Sequence, residues 1–139
     1  MADRGHRTVP HTADLRIEAW APSRLECLAE ALRGLVESFA DVTGAPVQRI
    51  TERTLLAATD GDMLAAAGEE IIYLLDAEGQ IPVSLQVRPV TGGVVLVLAL
   101  GAADAVEITG AVPKAVSFHG LRCESDRAGG WSSSMTVDV

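Results

Sequence analysis

Pro10-His11-Thr12-Ala13-Asp14-Leu15-Arg16-Ile17-Glu18-Ala19 is the stretch around which the rest of the chain is organised. From Asp14 onward, the charged Asp14, Arg16 and Glu18 alternate with the apolar Leu15, Ile17 and Ala19. A period of two puts the polar set on one face of a strand and the apolar set on the other, so the segment predicts a half-buried strand. Pro10 cannot donate to a sheet ladder, and the strand is expected to begin after it. Asp14 then stands at the strand's start, beside His11 and Thr12. The chain closes on a similar alternation, with Met135, Val137 and Val139 on one face and Ser134, Thr136 and Asp138 on the other. If the first and last strands lie together, the carboxylates of Asp14 and Asp138 and the free carboxylate of Val139 would converge.

Between these ends the pattern switches from strand to helix and back. Ser23-Arg24-Leu25-Glu26 has the form of a capping box, in which the serine accepts from the backbone and the glutamate reaches back. Leu25, Leu28, Ala29, Leu32, Leu35, Val36 and Phe39 follow at helical spacing, predicting a helix that runs to about Phe39 and stops before Gly44-Ala45-Pro46. Residues 47–59 are β-rich and end at Asp60-Gly61, after which Asp62 is expected to cap a second helix carrying Met63, Leu64, Ala67, Ile71, Leu74 and Leu75. Gly68 weakens that helix by about 1 kcal/mol relative to alanine, a cost that packing can offset. Glu69 and Glu70 read as solvated positions on it.

Residues 76–80 read as a polar turn, and Val83, Leu85 and Val87 alternate with Ser84, Gln86 and Arg88 as a strand. Gly92-Gly93 suits a tight hairpin leading into the continuously apolar 94–100, expected as a central strand covered on both faces. Residues 101–113 are a weakly patterned connection. A further strand is expected over 114–123, with Val116 and Phe118 on one face, and Ala128-Gly129-Gly130 makes the last turn. There is no linker, internal repeat or low-complexity tract, so one domain over 1–139 is expected. Its class is α+β, a two-layer arrangement of two helices packed on mainly antiparallel sheet.

Composition bounds the function. A hydrophobic fraction of 48% and a mean hydropathy of +0.25 favour a packed globular chain, with a core built from Ala, Val, Leu and Ile because aromatics are only 4%. The net charge of −8 repels phosphate backbones, so direct nucleic-acid binding through a basic patch is not expected. The same charge suits a basic protein partner, or solubility alone. Cys27 and Cys123 lack metal-ligand spacing, and the polar residues 1–8 do not resemble a secretory signal, so two buried thiols in a reduced cytoplasm are expected. No apolar run reaches membrane-spanning length. The Gly92-Gly93 pair is followed by neither a helix nor a lysine, which removes a phosphate-binding reading, and no nucleophile elbow, dinucleotide fingerprint or paired-histidine zinc motif is present. His6, His11 and His119 are too scattered to define a site by spacing. Asp14 and Asp138 with the Val139 carboxylate remain, and hard cations such as Ca²⁺ or Mg²⁺ prefer oxygen ligands of this kind.

Taken together, His11-Thr12-Ala13-Asp14, Lys114-Ala115-Val116-Ser117-Phe118-His119-Gly120-Leu121 and the terminal Asp138-Val139 resemble the signature segments of archease. Glu70-Ile71-Ile72-Tyr73-Leu74-Leu75-Asp76 is similar to that family's second-helix pattern. The resemblance covers nearly the whole chain in the right order, and the combination is specific where each piece alone is not. It implies a small cytosolic α+β protein, taken as a monomer, that assists RtcB-type RNA ligases in tRNA splicing and RNA repair. Such a protein promotes guanylylation of the ligase and meets RNA only through it. It also implies a bound divalent metal, Ca²⁺ before Mg²⁺ or Mn²⁺, with Asp14 and Asp138 as ligands and the Val139 carboxylate a third. Lys114 takes the place of a basic residue near that site, while His11 and His119 belong to the motifs without an assigned role.

The chain departs from the family at Ala102, where glutamate is usual, and in 103–113, which lacks an expected Arg-His pair. It departs again at Ala67-Gly68-Glu69, where an aromatic and an asparagine are common. These differences bear on partner contacts more than on the fold. Two other classes stay open: a metal-dependent hydrolase using Asp14 and Asp138, and an acidic binding module without a metal.

Overall fold

The computed structural model describes residues 3–10 and 14–139; His11, Thr12 and Ala13, part of the opening motif, lie outside the described residues. In chain order the elements are β1 (Gly5–Pro10), β2 (Asp14–Ala21), α1 (Arg24–Glu37), β3 (Ala40–Asp41), β4 (Arg49–Leu56), α2 (Asp60–Glu78), β5 (Gln80–Val90), β6 (Gly93–Ala102), a 3-10 turn (Ala103–Ala105), β7 (Glu107–Ile108), β8 (Ala115–Ser125) and β9 (Trp131–Asp138). They form one sheet in the order β1-β2-β9-β8, a second in the order β4-β6-β5, and a small β3-β7 pair. All strand pairings are antiparallel. The first and last predicted strands are thus neighbours in the interior of the larger sheet.

Both helices pack on both sheets: α1 lies against β2, β9 and β5, and α2 against β8, β5 and β4. This explains why α1 buries more than one stripe, including Cys27, Ala31, Gly34 and Glu30 beside the predicted leucines. The fully buried Phe39, Ile17, Leu32, Leu35, Leu64, Ile71, Leu96, Leu98 and Met135 come from helices and both sheets alike. Each such side chain taken out of water contributes on the order of 2 kcal/mol, so the α+β class inferred from patterning is held by one continuous apolar cluster.

Local chemistry sets the ends. Ser23 Oγ accepts from the Glu26 N–H at 3.3 Å, a cap that contributes about 1 kcal/mol. The reciprocal half of the box is not made, because the Glu26 carboxylate takes Arg4 at 2.8 Å instead. The second helix starts three residues earlier than expected: Thr59, not Asp62, is its N-cap, with Thr59 Oγ1 accepting from the Asp62 N–H at 3.1 Å. Asp60-Gly61 therefore belongs to the first turn, where acidic side chains suit the positive end of the helix dipole. The helix also runs through 76–78, which read as a turn, and ends on Gly79 in the left-handed region at φ 62.

Three strand expectations are corrected. A strand at Gly5–Pro10 occupies the polar N-terminal stretch, anchored by ion pairs of Arg7 with Glu18 and of His6 with Glu30 and Glu37 rather than by apolar alternation. β6 is central, but within 94–100 only Val94, Leu96, Leu98 and Leu100 are buried; Val95, Val97 and Ala99 face outward on a single-covered sheet. In the hairpin only Gly92 has positive φ, at 79. Gly93 is already strand, where a Cβ would stand 1.9 Å from the Leu55 carbonyl oxygen, so close backbone approach is what requires glycine there.

Candidate functional site

Register brings the two ends of the chain together. Asp14 of β2 lies directly opposite Asp138 of β9, and Asp138 is in turn opposite Ala115 of β8. Directly opposed residues of an antiparallel pair point to the same face, with Cβ atoms about 5 Å apart. Ile17, Met135, Val137 and Val116 fill the inner face, so the polar set Asp14, Arg16, Thr136 and Asp138 occupies the outer one. Like charges directly opposed destabilise a strand pair, which makes the Asp14–Asp138 position favourable for a cation.

Asp14, Arg16 and Thr136 line an open groove of about 340 Å³ with Val9 from β1 and His119 from β8. His119 reaches it because β8 is bulged. Ser117 pairs with Thr136 and Arg122 with Ser134, so four residues, 118–121, stand against Met135 alone. Gly120 takes φ 70 within that bulge. The bulge also overturns the predicted alternation: Val116 is buried, whereas Phe118 is 69% exposed and projects beside the groove. Scattered histidines gave no spacing signal for this placement, because an extra loop inside a strand leaves no periodicity to read.

Lys114 enters by its backbone, donating its N–H to the Asp138 carbonyl at 2.7 Å. Its exposed residue lines the neighbouring groove of about 620 Å³, shared with Glu69, Ile72, Tyr73 and Asp76 of α2 and with Val112 and Pro113. Lys114 thus meets Asp138 through its backbone and α2 through the groove it lines. Val139 packs its half-buried side chain against the core one residue beyond Asp138. Among the described residues there is no group of three or more His, Cys, Asp or Glu that could hold a metal ion. Two carboxylates on one water-facing surface suit a hard cation that completes its shell with water or with ligands from elsewhere.

Neither Glu69 nor Glu70 of α2 is simply solvated. Glu70 Oε1 accepts from Arg53 Nε at 2.7 Å, and Glu69 Oε1 accepts from the Val116 N–H at 2.7 Å. β8 is the edge of its sheet, and Glu69 satisfies an edge donor while pinning α2 to the strand that carries Lys114 and the bulge. A charge-assisted bond of this kind contributes about 2 kcal/mol. Glu69→Ala is therefore expected to lower unfolding free energy by about 2 kcal/mol, while Glu69→Gln, which keeps an acceptor, loses less. Urea unfolding of the three proteins checks this, and equal stability of wild type and Glu69→Ala would show the bond to be dispensable.

A model of the Archease protein family (MTH1598/TM1083) matches residues 6–139. "Probable protein archease" from two strains of Mycobacterium tuberculosis, CDC 1551 / Oshkosh and ATCC 25618 / H37Rv, is 50% identical over 135 residues, covering 97% of this chain and 75% of that protein. The solution structure of Methanobacterium thermoautotrophicum protein 1598 superposes with a TM-score of 0.71 at 16% identity, covering 97% of this chain and 99% of that one, which establishes the shared fold. The chain belongs to the archease family.

Proposed function

We propose that this protein is a cytoplasmic activator of an RtcB-type RNA ligase, promoting guanylylation of the ligase in tRNA splicing and RNA repair, and that it does no chemistry alone. The observation that carries the reading is the in-register pairing of Asp14 with Asp138 on the open face of the larger sheet, in a chain of the archease family.

In this reading the two carboxylates hold a divalent cation, Ca²⁺ in the first place, with Mg²⁺ or Mn²⁺ able to replace it. Ca²⁺ takes 6–8 oxygen ligands. Asp14 and Asp138 fill the protein side, the carboxylate of Val139 is a third donor, and the positions left are open to water and to the ligase with its nucleotide. A bound cation would supply positive charge to phosphate oxygens as the adduct forms. Lys114, whose backbone is bonded to that of Asp138, adds a second positive charge, and Arg16 a third from inside the groove. The net charge of −8 favours encounter with a basic, RNA-binding partner, an attraction screened over about 8 Å at physiological salt. Association should therefore slow as salt is raised.

The test is a single-turnover assay of ligase–nucleotide adduct with GTP, run with and without this protein, and with Ca²⁺ or a chelator. Faster adduct formation that needs both protein and divalent metal is expected, with no turnover of nucleotide or phosphorylated RNA ends by the protein alone. No change in adduct formation under any metal condition would sink the reading. Phosphoester turnover without ligase would point to a hydrolase instead.

A further inference from the structure

We propose that Cys27 and Cys123 form a redox-active dithiol that a small disulfide such as oxidised glutathione converts to an intramolecular disulfide joining α1 to β8. The placement comes from the fold. Ala19, Ser133 and Cys123 form one row across β2, β9 and β8, on the inner face of the larger sheet. Cys27 of α1 lies over that row, with Sγ 3.8 Å from the Ala19 carbonyl oxygen. Its thiol and that of Cys123 lie close enough to shift each other's titration, although 96 residues separate them in the chain (123 − 27).

A second observation lies at the same spot. Ser133 is 1% exposed, and its Oγ is a buried polar atom with no hydrogen-bond partner among the described residues. A hydroxyl shut away from water without an acceptor costs stability, and a sulfur anion above it would be the acceptor it lacks. The charges around the pair fit that anion. The hydrogen bond from Cys123 lowers the Cys27 thiol to about 7, helped by Ser133 and Arg122 and opposed by burial and Glu30. The same shared proton, with burial and Asp60, pushes Cys123 up, against the pull of Arg24. The pair's two titrations are thus driven apart, Cys27 down and Cys123 up, the arrangement of a coupled dithiol rather than of two inert core thiols.

Accessibility orders the steps. Cys27 is fully buried, whereas Cys123 is only partly covered and is the sulfur a reagent meets first. Cys123 passes its proton to the Cys27 sulfur and, as thiolate, attacks one sulfur of the disulfide RSSR, forming a mixed disulfide and expelling RS⁻, which takes that proton from Cys27. The Cys27 thiolate then attacks Cys123 Sγ, the Cys27–Cys123 bond forms, and the second RS⁻ leaves. The two leaving thiolates take up the two protons lost by the cysteines. The balance is two protein thiols plus RSSR giving one protein disulfide plus two RSH, two electrons passing to the reagent. Closure links a helix to the strand that carries the bulge beside the candidate site.

The test uses the folded full chain, reduced, freed of reductant and incubated with oxidised glutathione, with free thiols counted after denaturation and intact mass recorded. Expected is a fall from two thiols to none, a loss of two hydrogens in mass with no glutathione attached, and full recovery with dithiothreitol. Cys27→Ala should stop at glutathione on Cys123. Cys123→Ser, at the partly exposed position where folding is least disturbed, should leave Cys27 unmodified. Retention of both thiols in the folded wild type, glutathione held at Cys123 with Cys27 still free, or bridging between two chains would each overturn the proposal.

Discussion

Asp138→Ala is expected to bind an RtcB-type ligase but to lose its stimulation of guanylylation, a loss that more protein does not rescue. The substitution leaves the fold's anchoring at that point intact, since the bond Asp138 receives from the Lys114 N–H ends on its backbone carbonyl. It also changes a net charge of −8 only to −7 (−8 + 1), so long-range attraction to a basic partner is nearly unaltered. What is lost is one of the two opposed side-chain carboxylates of the proposed cation site. Cation affinity should fall at least about tenfold, or about 1.4 kcal/mol. Asp14→Ala should match it, and Asp138→Glu, which keeps the carboxylate, should retain part of the activity. Titration calorimetry with Ca²⁺ and adduct formation at rising protein concentration read the two effects separately. Full stimulation by Asp138→Ala at ordinary concentration would show that the paired carboxylates are not the working part.

The framework of this site is legible in the sequence because its strands are half-buried. Asp14, Arg16 and Glu18 on one side, and Thr136 and Asp138 on another segment, show a period of two that, with both apolar faces turned inward, puts both aspartates on the same face. The helices are legible for the same reason at a period near 3.6, although Thr59 rather than Asp62 caps the second. β1 is not legible. Its Gly5, His6, Arg7 and Thr8 are held by partners 11 to 31 residues away, such as Glu18, Glu30 and Glu37, and ion pairs of that range leave no local pattern. Nor is the 118–121 bulge, which turns Phe118 outward and brings His119 to the groove. The connection 101–113 hides a two-residue pairing with Ala40 and Asp41 that is too short for any periodicity.

The Cys27–Cys123 pair and the role of Glu69 belong to the same class of feature. Each depends on which turn of a helix lies over which strand, a distance that spacing along the chain does not contain. The family resemblance, by contrast, rests on a segment of α2 and on segments whose described residues lie at or beside β2, β8 and β9, the three neighbouring strands that meet at Asp14, Asp138 and Ala115. Residues scattered from one end of the chain to the other are therefore one patch in space.

Gly68→Val is expected to be strongly destabilising, although glycine is a poor residue for a helix interior. By propensity alone, replacing Gly68 should stabilise α2 by a few tenths of a kcal/mol. The packing reverses the sign. A Cβ at position 68 would stand 2.9 Å from Val116 Cγ2 and 3.0 Å from Met135 Sδ, so α2 rests directly on β8 and β9 there. Met135 can yield, being unbranched, but Val116 has a stiff χ1 and is itself held by the bond from its N–H to Glu69. Alanine would require a shift of a few tenths of an ångström. Valine adds two methyl groups to a core that has no room for them, and lifting the helix breaks the Glu69 bond. Overpacking of this kind costs about 1–3 kcal/mol, and the charge-assisted bond adds about 2 kcal/mol. With helix propensity offsetting little, the net loss is about 3 kcal/mol, equivalent to roughly 10 °C in melting temperature for a chain of this length. Gly68→Ala should fall between wild type and valine. Thermal melts followed by circular dichroism order the three proteins, and a Gly68→Val melting temperature at or above wild type would show that α2 does not need its close contact with β8.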